Sequence, residues 1–172
     1  VKLVKFLQKK YPELRPLILI IKAFLKSRDL NETYSGGVGS FLLTMLVTSY
    51  LQRKYKLGST DKMDLGYHLI EFFHLYGSIF NYDQVGISIR KDGFYFSKEK
   101  RGWEGHDERN RQRLCVENPQ DPEVDIGRAS YNIKRVQRAF QHAYDTLVYN
   151  NTGSVSLLKL IITAKPKDLK QQ

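Results

Sequence analysis

The stretch Gly36-Gly37-Val38-Gly39-Ser40-Phe41-Leu42-Leu43-Thr44-Met45-Leu46-Val47-Thr48-Ser49-Tyr50-Leu51-Gln52-Arg53-Lys54 decides the fold. Its three glycines interrupt any regular element, and the run that follows is apolar on nearly every side. A helix from about Ser40 to Lys54 therefore has almost no face left for solvent and belongs at the centre of a bundle. The spacing elsewhere supplies its neighbours. Val1–Tyr11 and Leu14–Ser27 carry apolar residues at helical intervals, the second through Leu14, Leu17, Ile18, Ile21, Phe24 and Leu25. Leu57–Met63 is a polar connection, after which Asp64 or a neighbour caps a helix over Leu65–Tyr76. Tyr131–Val148 resumes the helical pattern through Val136, Phe140, Ala143, Tyr144 and Leu147, and Ser154–Ile162 reads as a short last helix before a basic tail. The expected class is mainly α, a helical bundle.

Between these helices the period changes. Val85-Gly86-Ile87-Ser88-Ile89 alternates, Asp92-Gly93 signals a turn, and Phe94-Tyr95-Phe96 is aromatic, which together predict a small β-hairpin. Ser97–Arg113 is dense in charge and nearly free of aliphatic residues, so it is expected to be a mobile surface loop. Leu114–Arg128, with two prolines and a glycine, is expected to be irregular.

The 172 residues suffice for one substantial domain, or one domain with a subdomain. The net charge of +10 is uneven: residues 1–60 hold eleven Lys/Arg against three Asp/Glu, whereas residues 61–172 hold seventeen against fifteen. A basic excess around the glycine turn favours a polyanionic partner, nucleic acid or nucleotide phosphate. The single cysteine, Cys115, leaves no intramolecular disulfide framework and no zinc finger built by this chain alone, and its apolar flanks mark a buried thiol. The runs Leu17–Ile21 and Phe41–Val47 fall far below the roughly 20 residues that span a bilayer, so no membrane partner is expected. Val1 opens directly into a helical pattern without an initiator methionine, from which the chain is expected to be a fragment of something longer.

Lys22 and Lys26 stand four residues apart, on one helix face, ahead of the glycine turn and Ser40. Like charges at that spacing repel, which an anion between them would relieve. A helix start offers unpaired N–H groups and a positive dipole end, and a serine there adds a hydroxyl donor. These are the parts of a triphosphate-binding wall; paired lysines are more often a solvated face, so the pattern alone does not decide for the wall. No Gly-x-x-x-x-Gly-Lys-Ser/Thr sequence is present. A nucleotide-using enzyme also needs closely spaced carboxylates for magnesium, and no Asp-x-Asp falls on a predicted strand. Glu123/Asp125 and Asp61/Asp64 lie in connections, so neither catalytic nor metal-binding residues are assigned. His68 and His74 occupy an aromatic helix as core or boundary residues, and Trp103 is either a loop anchor or a base-stacking ring, anchoring being the simpler role.

Taken in order, Lys22, Lys26, Arg28-Asp29-Leu30-Asn31-Glu32, Gly36–Phe41, Leu69–Gly77, Phe80-Asn81-Tyr82, Gly86–Ile89, Val116–Pro119 and Asp125–Arg128 resemble the central and PAP-associated domains of the Trf-type poly(A) polymerases over roughly residues 1–150. The resemblance implies a mainly α substrate-binding domain of the type shared by poly(A) polymerases and oligoadenylate synthetases. On this view residues 1–60 and 130–172 form the helical central domain, and residues 61–129 form the PAP-associated region with the hairpin and a nucleotide recognition loop. The nucleotidyltransferase domain that binds Mg2+ lies outside this chain, so the chain alone is expected to be inactive. The implied function is binding of ATP and RNA in an enzyme that adds AMP residues to RNA 3′ ends in the nucleus, for surveillance and exosome decay. A zinc-knuckle RNA-binding protein, an RNA helicase and the exosome are implied as partners. An alternative is a non-catalytic scaffold that docks the zinc-knuckle partner.

Carried over by position, Lys22 and Lys26 match the lysines that meet the triphosphate, and Ser40 the serine that donates to it. Phe41 stands where relatives place a tyrosine that stacks on the base; stacking needs only the ring. Glu117–Arg128 matches the recognition loop. Uridylyltransferase relatives have a histidine at the position of Val124, so its absence points toward ATP. Asp121 and Asp125 are left as base-edge or water-mediated contacts, or as plain surface carboxylates.

Overall fold

The computed structural model describes residues 1–58, 64–105, 111–149, 159 and 161–162. Helix α1 (Lys2–Lys10) ends at Tyr11, extended at φ −121° and ψ 92° because the following Pro12 disfavours helical geometry in the residue before it. Helix α2 (Leu14–Ser27) tolerates Pro16 in its first turn, where the missing N–H has no partner to lose. Helix α3 (Ser40–Lys56) is buried at every position from Leu42 to Gln52, the central helix that its sequence predicts. Helix α4 (Leu65–His74) opens on Asp64, whose carboxylate accepts from the Tyr67 N–H at 3.0 Å. It does not run on unchanged to Tyr76. Leu75–Ile79 widens into a π-helical turn, and at Gly77 a Cβ would stand 2.6 Å from the Gln141 nitrogen, so a side chain there would drive the last helix away. That helix, α6, spans Ile133–Tyr149.

The bundle closes on aromatic rings. Phe24 of α2, Phe72 and Phe73 of α4 and Phe140 of α6 meet pairwise with centroids 4.9–6.1 Å apart. Tyr76 is fully buried and donates to the Leu46 carbonyl of α3 at 2.8 Å, and His68 meets the Tyr50 hydroxyl at 3.0 Å, a core role. The predicted Ser154–Ile162 helix lies almost wholly outside the described residues; of it, Ile161 is buried, and its carbonyl accepts from Arg28.

Strands β1 (Val85–Ser88) and β2 (Phe94–Ser97) form the antiparallel hairpin, with Ile87 opposite Tyr95. Gln52 of α3 donates to the Ile89 carbonyl at 2.9 Å and fixes the hairpin to the bundle. Two expectations are corrected here. Ser97–Arg113 is not a loop throughout, since it starts as the short helix α5 (Lys98–Arg101), and Lys98 is fully buried. Its ammonium donates to the carbonyls of Tyr82, Arg111 and Arg113 at 2.8, 2.7 and 3.0 Å, which compensates a charge that burial disfavours and lowers in pKa. Trp103 is half-buried, packed edge-on against Phe96 at 5.4 Å as an anchor. Leu114–Arg128 is likewise not wholly irregular. Val116 bridges Ile87 in parallel, and strands β3 (Glu117–Asn118) and β4 (Asp121–Asp125) pair antiparallel across a bulge. Cys115, buried, has its thiol pKa pushed up to about 11, mainly by desolvation.

Candidate nucleotide-binding face

Lys22 and Lys26 are exposed on α2, and neither forms an ion pair among the described residues. The chain then reverses. Leu30 donates to Leu25 at 2.9 Å, Val38 to Leu30 at 2.8 Å, and Gly37 packs so closely that a Cβ would lie 2.2 Å from the Leu30 carbonyl oxygen. Gly36 takes the left-handed conformation at φ +76°. These contacts deliver Ser40 and Phe41 to the opening turn of α3, where the first N–H groups have no intrahelical partner. Ser40 is exposed, and Phe41 is 40% exposed although flanked by a buried helix. An alanine at Gly37 must push two backbone segments apart, at a cost of about 1–3 kcal/mol. Gly37→Ala is therefore expected to lower the denaturation midpoint of the full-length protein, and an unchanged midpoint would show that the turn can relax.

The segment after β4 ends where the glycine turn is held. After β4, Ile126–Ala129 forms a short 3-10 turn, and Ser130 then donates through Oγ to the Gly37 carbonyl at 2.6 Å. Asn132 donates from its backbone to Gly36 at 2.9 Å and from its side chain to Ser35 at 2.7 Å. The segment that follows Asp121–Asp125 is thus bonded directly to the turn that precedes Ser40-Phe41. Nothing in the local sequence of Ser130 and Asn132 signals this clamp, because their partners are carbonyls 93 and 97 residues away.

Within the loop the three sites differ. Val124 is 44% exposed and faces outward, and Asp121 is exposed, with Oδ1 3.4 Å from the Glu123 N–H. Asp125 is committed to the loop itself: Oδ1 accepts from Val116 at 2.9 Å and Gly127 at 2.8 Å, and Oδ2 lies 3.7 Å from Arg113. Glu117, at the base of β3, is wholly buried between Arg90 and Arg101. Among the described residues no three His, Cys, Asp or Glu side chains gather as metal ligands, and no helix is long and apolar enough to cross a membrane.

Residues 64–124 match the Cid1 family poly A polymerase model of the PAP-associated domain. The chain is 46% identical over 140 residues to the poly(A) RNA polymerase CID14 of Cryptococcus neoformans, which covers 79% of this chain and 18% of that protein. It is 41% identical over 151 residues to poly(A) RNA polymerase protein 1 of Saccharomyces cerevisiae, covering 86% of this chain and 23% of that protein. The chain therefore spans only about a fifth of the length of these relatives. A solved structure of the polymerase core of TRAMP, an RNA surveillance complex, superposes with a TM-score of 0.83 at 31% identity, over 95% of this chain and 55% of that one. In sequence and in fold, the chain matches a Trf-type poly(A) polymerase over the stretch that carries the PAP-associated domain.

Proposed function

We propose that this chain is the nucleotide- and RNA-binding half of a polynucleotide adenylyltransferase, whose Mg2+-binding catalytic domain lies outside it. The observation that supports the reading best is the bonded junction between the glycine turn and the recognition loop, through Ser130 and Asn132. It makes one continuous support for Ser40 and Phe41 on one side and Asp121 and Val124 on the other. Lys22, Lys26 and Ser40 contact the triphosphate of ATP, Phe41 stacks on its base, and the loop selects the base. Asp125 serves this site by shaping the loop, since its Oδ1 already accepts two backbone N–H groups. In this reading residues 1–60 and 130–172 act as the central domain and residues 61–129 as the PAP-associated region. The enzyme works in the nucleus on RNAs destined for the exosome, alongside a zinc-knuckle RNA-binding protein and an RNA helicase.

The test uses the full-length protein with an RNA primer, Mg2+ and either ATP or UTP. Stacking contributes roughly 1–3 kcal/mol and is indifferent to the base, so Phe41→Ala is expected to weaken both nucleotides alike. Val124→His adds a polar group at the outward-facing position and is expected to lower the ATP over UTP ratio of kcat/KM about tenfold. If Phe41→Ala moves that ratio and Val124→His does not, the two roles are reversed; if no primer is extended, the enzyme reading fails.

A further inference from the structure

A basic hollow of about 420 Å3 opens where the clamp segment turns into α6. Arg113, Arg128, Lys134 and Arg135 line it with Tyr131 and Asn132, and among the described residues no Asp or Glu does. Arg128, Lys134 and Arg135 are exposed and make no ion pair among the described residues; Arg113 alone has a carboxylate nearby, Asp125 at 3.7 Å. Three uncompensated cations on adjoining turns repel one another, and a polyanion relieves that repulsion.

An aromatic ring stands at the same place, that of Tyr131. Tyr131 is 66% exposed, far from the usual state of a large ring in a folded core. It is nevertheless tied down. The Tyr131 hydroxyl donates to the Tyr34 carbonyl at 3.1 Å, and its ring lies so close over Gly36 that a Cβ there would be 2.5 Å from a ring carbon. An immobilised, solvent-facing aromatic beside a row of free cations suits single-stranded nucleic acid: phosphates meet the cations, and bases stack without regard to sequence.

We propose that this hollow is a binding site for single-stranded RNA, with Lys134 and Arg135 holding its phosphates and Tyr131 stacking on a base. The choice of RNA as the ligand rests on the polymerase reading above, while the site itself rests on the charge and ring arrangement. It is distinct from Lys22, Lys26 and Ser40, which that reading gives to the triphosphate.

Fluorescence anisotropy of the full-length protein with a labelled, unstructured single-stranded RNA, across a salt series, tests this. Lys134→Glu combined with Arg135→Glu is expected to weaken binding about tenfold or more, and to flatten the slope of log affinity against log salt by roughly 1.4, since each single-strand phosphate contact contributes about 0.7. Tyr131→Ala is expected to weaken binding about fivefold or more with the slope unchanged, and Tyr131→Phe to retain it. The control pair Lys5→Glu and Lys9→Glu, exposed on α1, removes the same charge and is expected to leave affinity within about twofold. Undiminished affinity in a folded Lys134→Glu/Arg135→Glu protein overturns the proposal, as does an equal loss in the control pair. A raised KM for ATP with RNA affinity intact also overturns it, by giving the hollow to the nucleotide. If the full-length protein adds no adenosines yet the double variant loses RNA affinity, the polymerase reading fails while this site stands.

Discussion

On the proposed reading, replacing Lys22 and Lys26 with alanine in the full-length protein is expected to lower kcat/KM for ATP by roughly tenfold to over a hundredfold for each lysine. The range follows from the about 1.5–3 kcal/mol that a charge-assisted contact to phosphate typically contributes. Both side chains are exposed and lack carboxylate partners among the described residues, so their removal leaves no buried group stranded and the fold is expected to persist. That separates this loss from a stability effect. The lysines are neighbours on one helix face and repel in the free state, so the two losses are not expected to sum: after one lysine is gone, the other is less strained and its removal costs a different amount. Steady-state kinetics on both single variants and the double variant, with circular dichroism as the folding check, makes the measurement. Wild-type kinetics in a folded double variant would return the pair to a solvated surface.

The parts of this face that the sequence made legible are those written in local pattern. Lys22 and Lys26 sit on a helix whose apolar spacing predicts Leu14–Ser27 at both ends, and the all-round apolarity after Ser40 predicts the buried α3. Asp64 announces its own helix by the chemistry of a cap. What the sequence conceals are features made by distant partners. Strands β3 and β4 contain no alternation, have Pro119 in their turn and Pro122 within β4, and exist because Val116 pairs with Ile87 and Glu117 with Asp125. Lys98 looks like one charge among many in a solvated run, and only three converging carbonyls make its burial tolerable. The widening of α4 at Leu75–Ile79 depends on α6 lying against Gly77, some sixty residues further along the chain. In each case a long-range contact overrides a local expectation. The loop proposed to select the base belongs to this second kind, and so does its anchor.

That anchor is Glu117, and its loss is expected to be the most damaging single change near the site. Its carboxylate is entirely shielded from solvent, ion-paired with Arg90 Nε and with Arg101 at 2.5 Å, and it accepts from Ser88 Oγ at 3.0 Å. Glu117 stands opposite Asp125 in the β3–β4 ladder, so whatever fixes it also fixes the strand that presents Val124. Breaking a buried ion pair by removing one partner typically costs about 3–5 kcal/mol. The two guanidinium groups are 35% and 26% exposed and can recover water, which places Glu117→Ala at about the lower end of that range. Desolvation by itself would raise the Glu117 pKa, but the hydrogen bonds from Arg90, Arg101 and Ser88 outweigh it and hold the carboxyl below its ordinary value of 4.5. A depressed carboxylate contributes stability that is fully present above the unfolded-state value and is lost as pH falls through the folded-state value. Wild type is therefore expected to lose stability below about pH 4.5 more steeply than Glu117→Gln, which has no carboxylate to protonate. Denaturation midpoints of both proteins from neutral to acid pH make the comparison, with the ATP over UTP ratio of kcat/KM as the second readout. An anchoring role requires the ratio to fall in Glu117→Gln even where the variant is fully folded, because the strand carrying Val124 is no longer held. Parallel acid profiles together with an unchanged ratio would mean that the loop keeps its shape without the cluster.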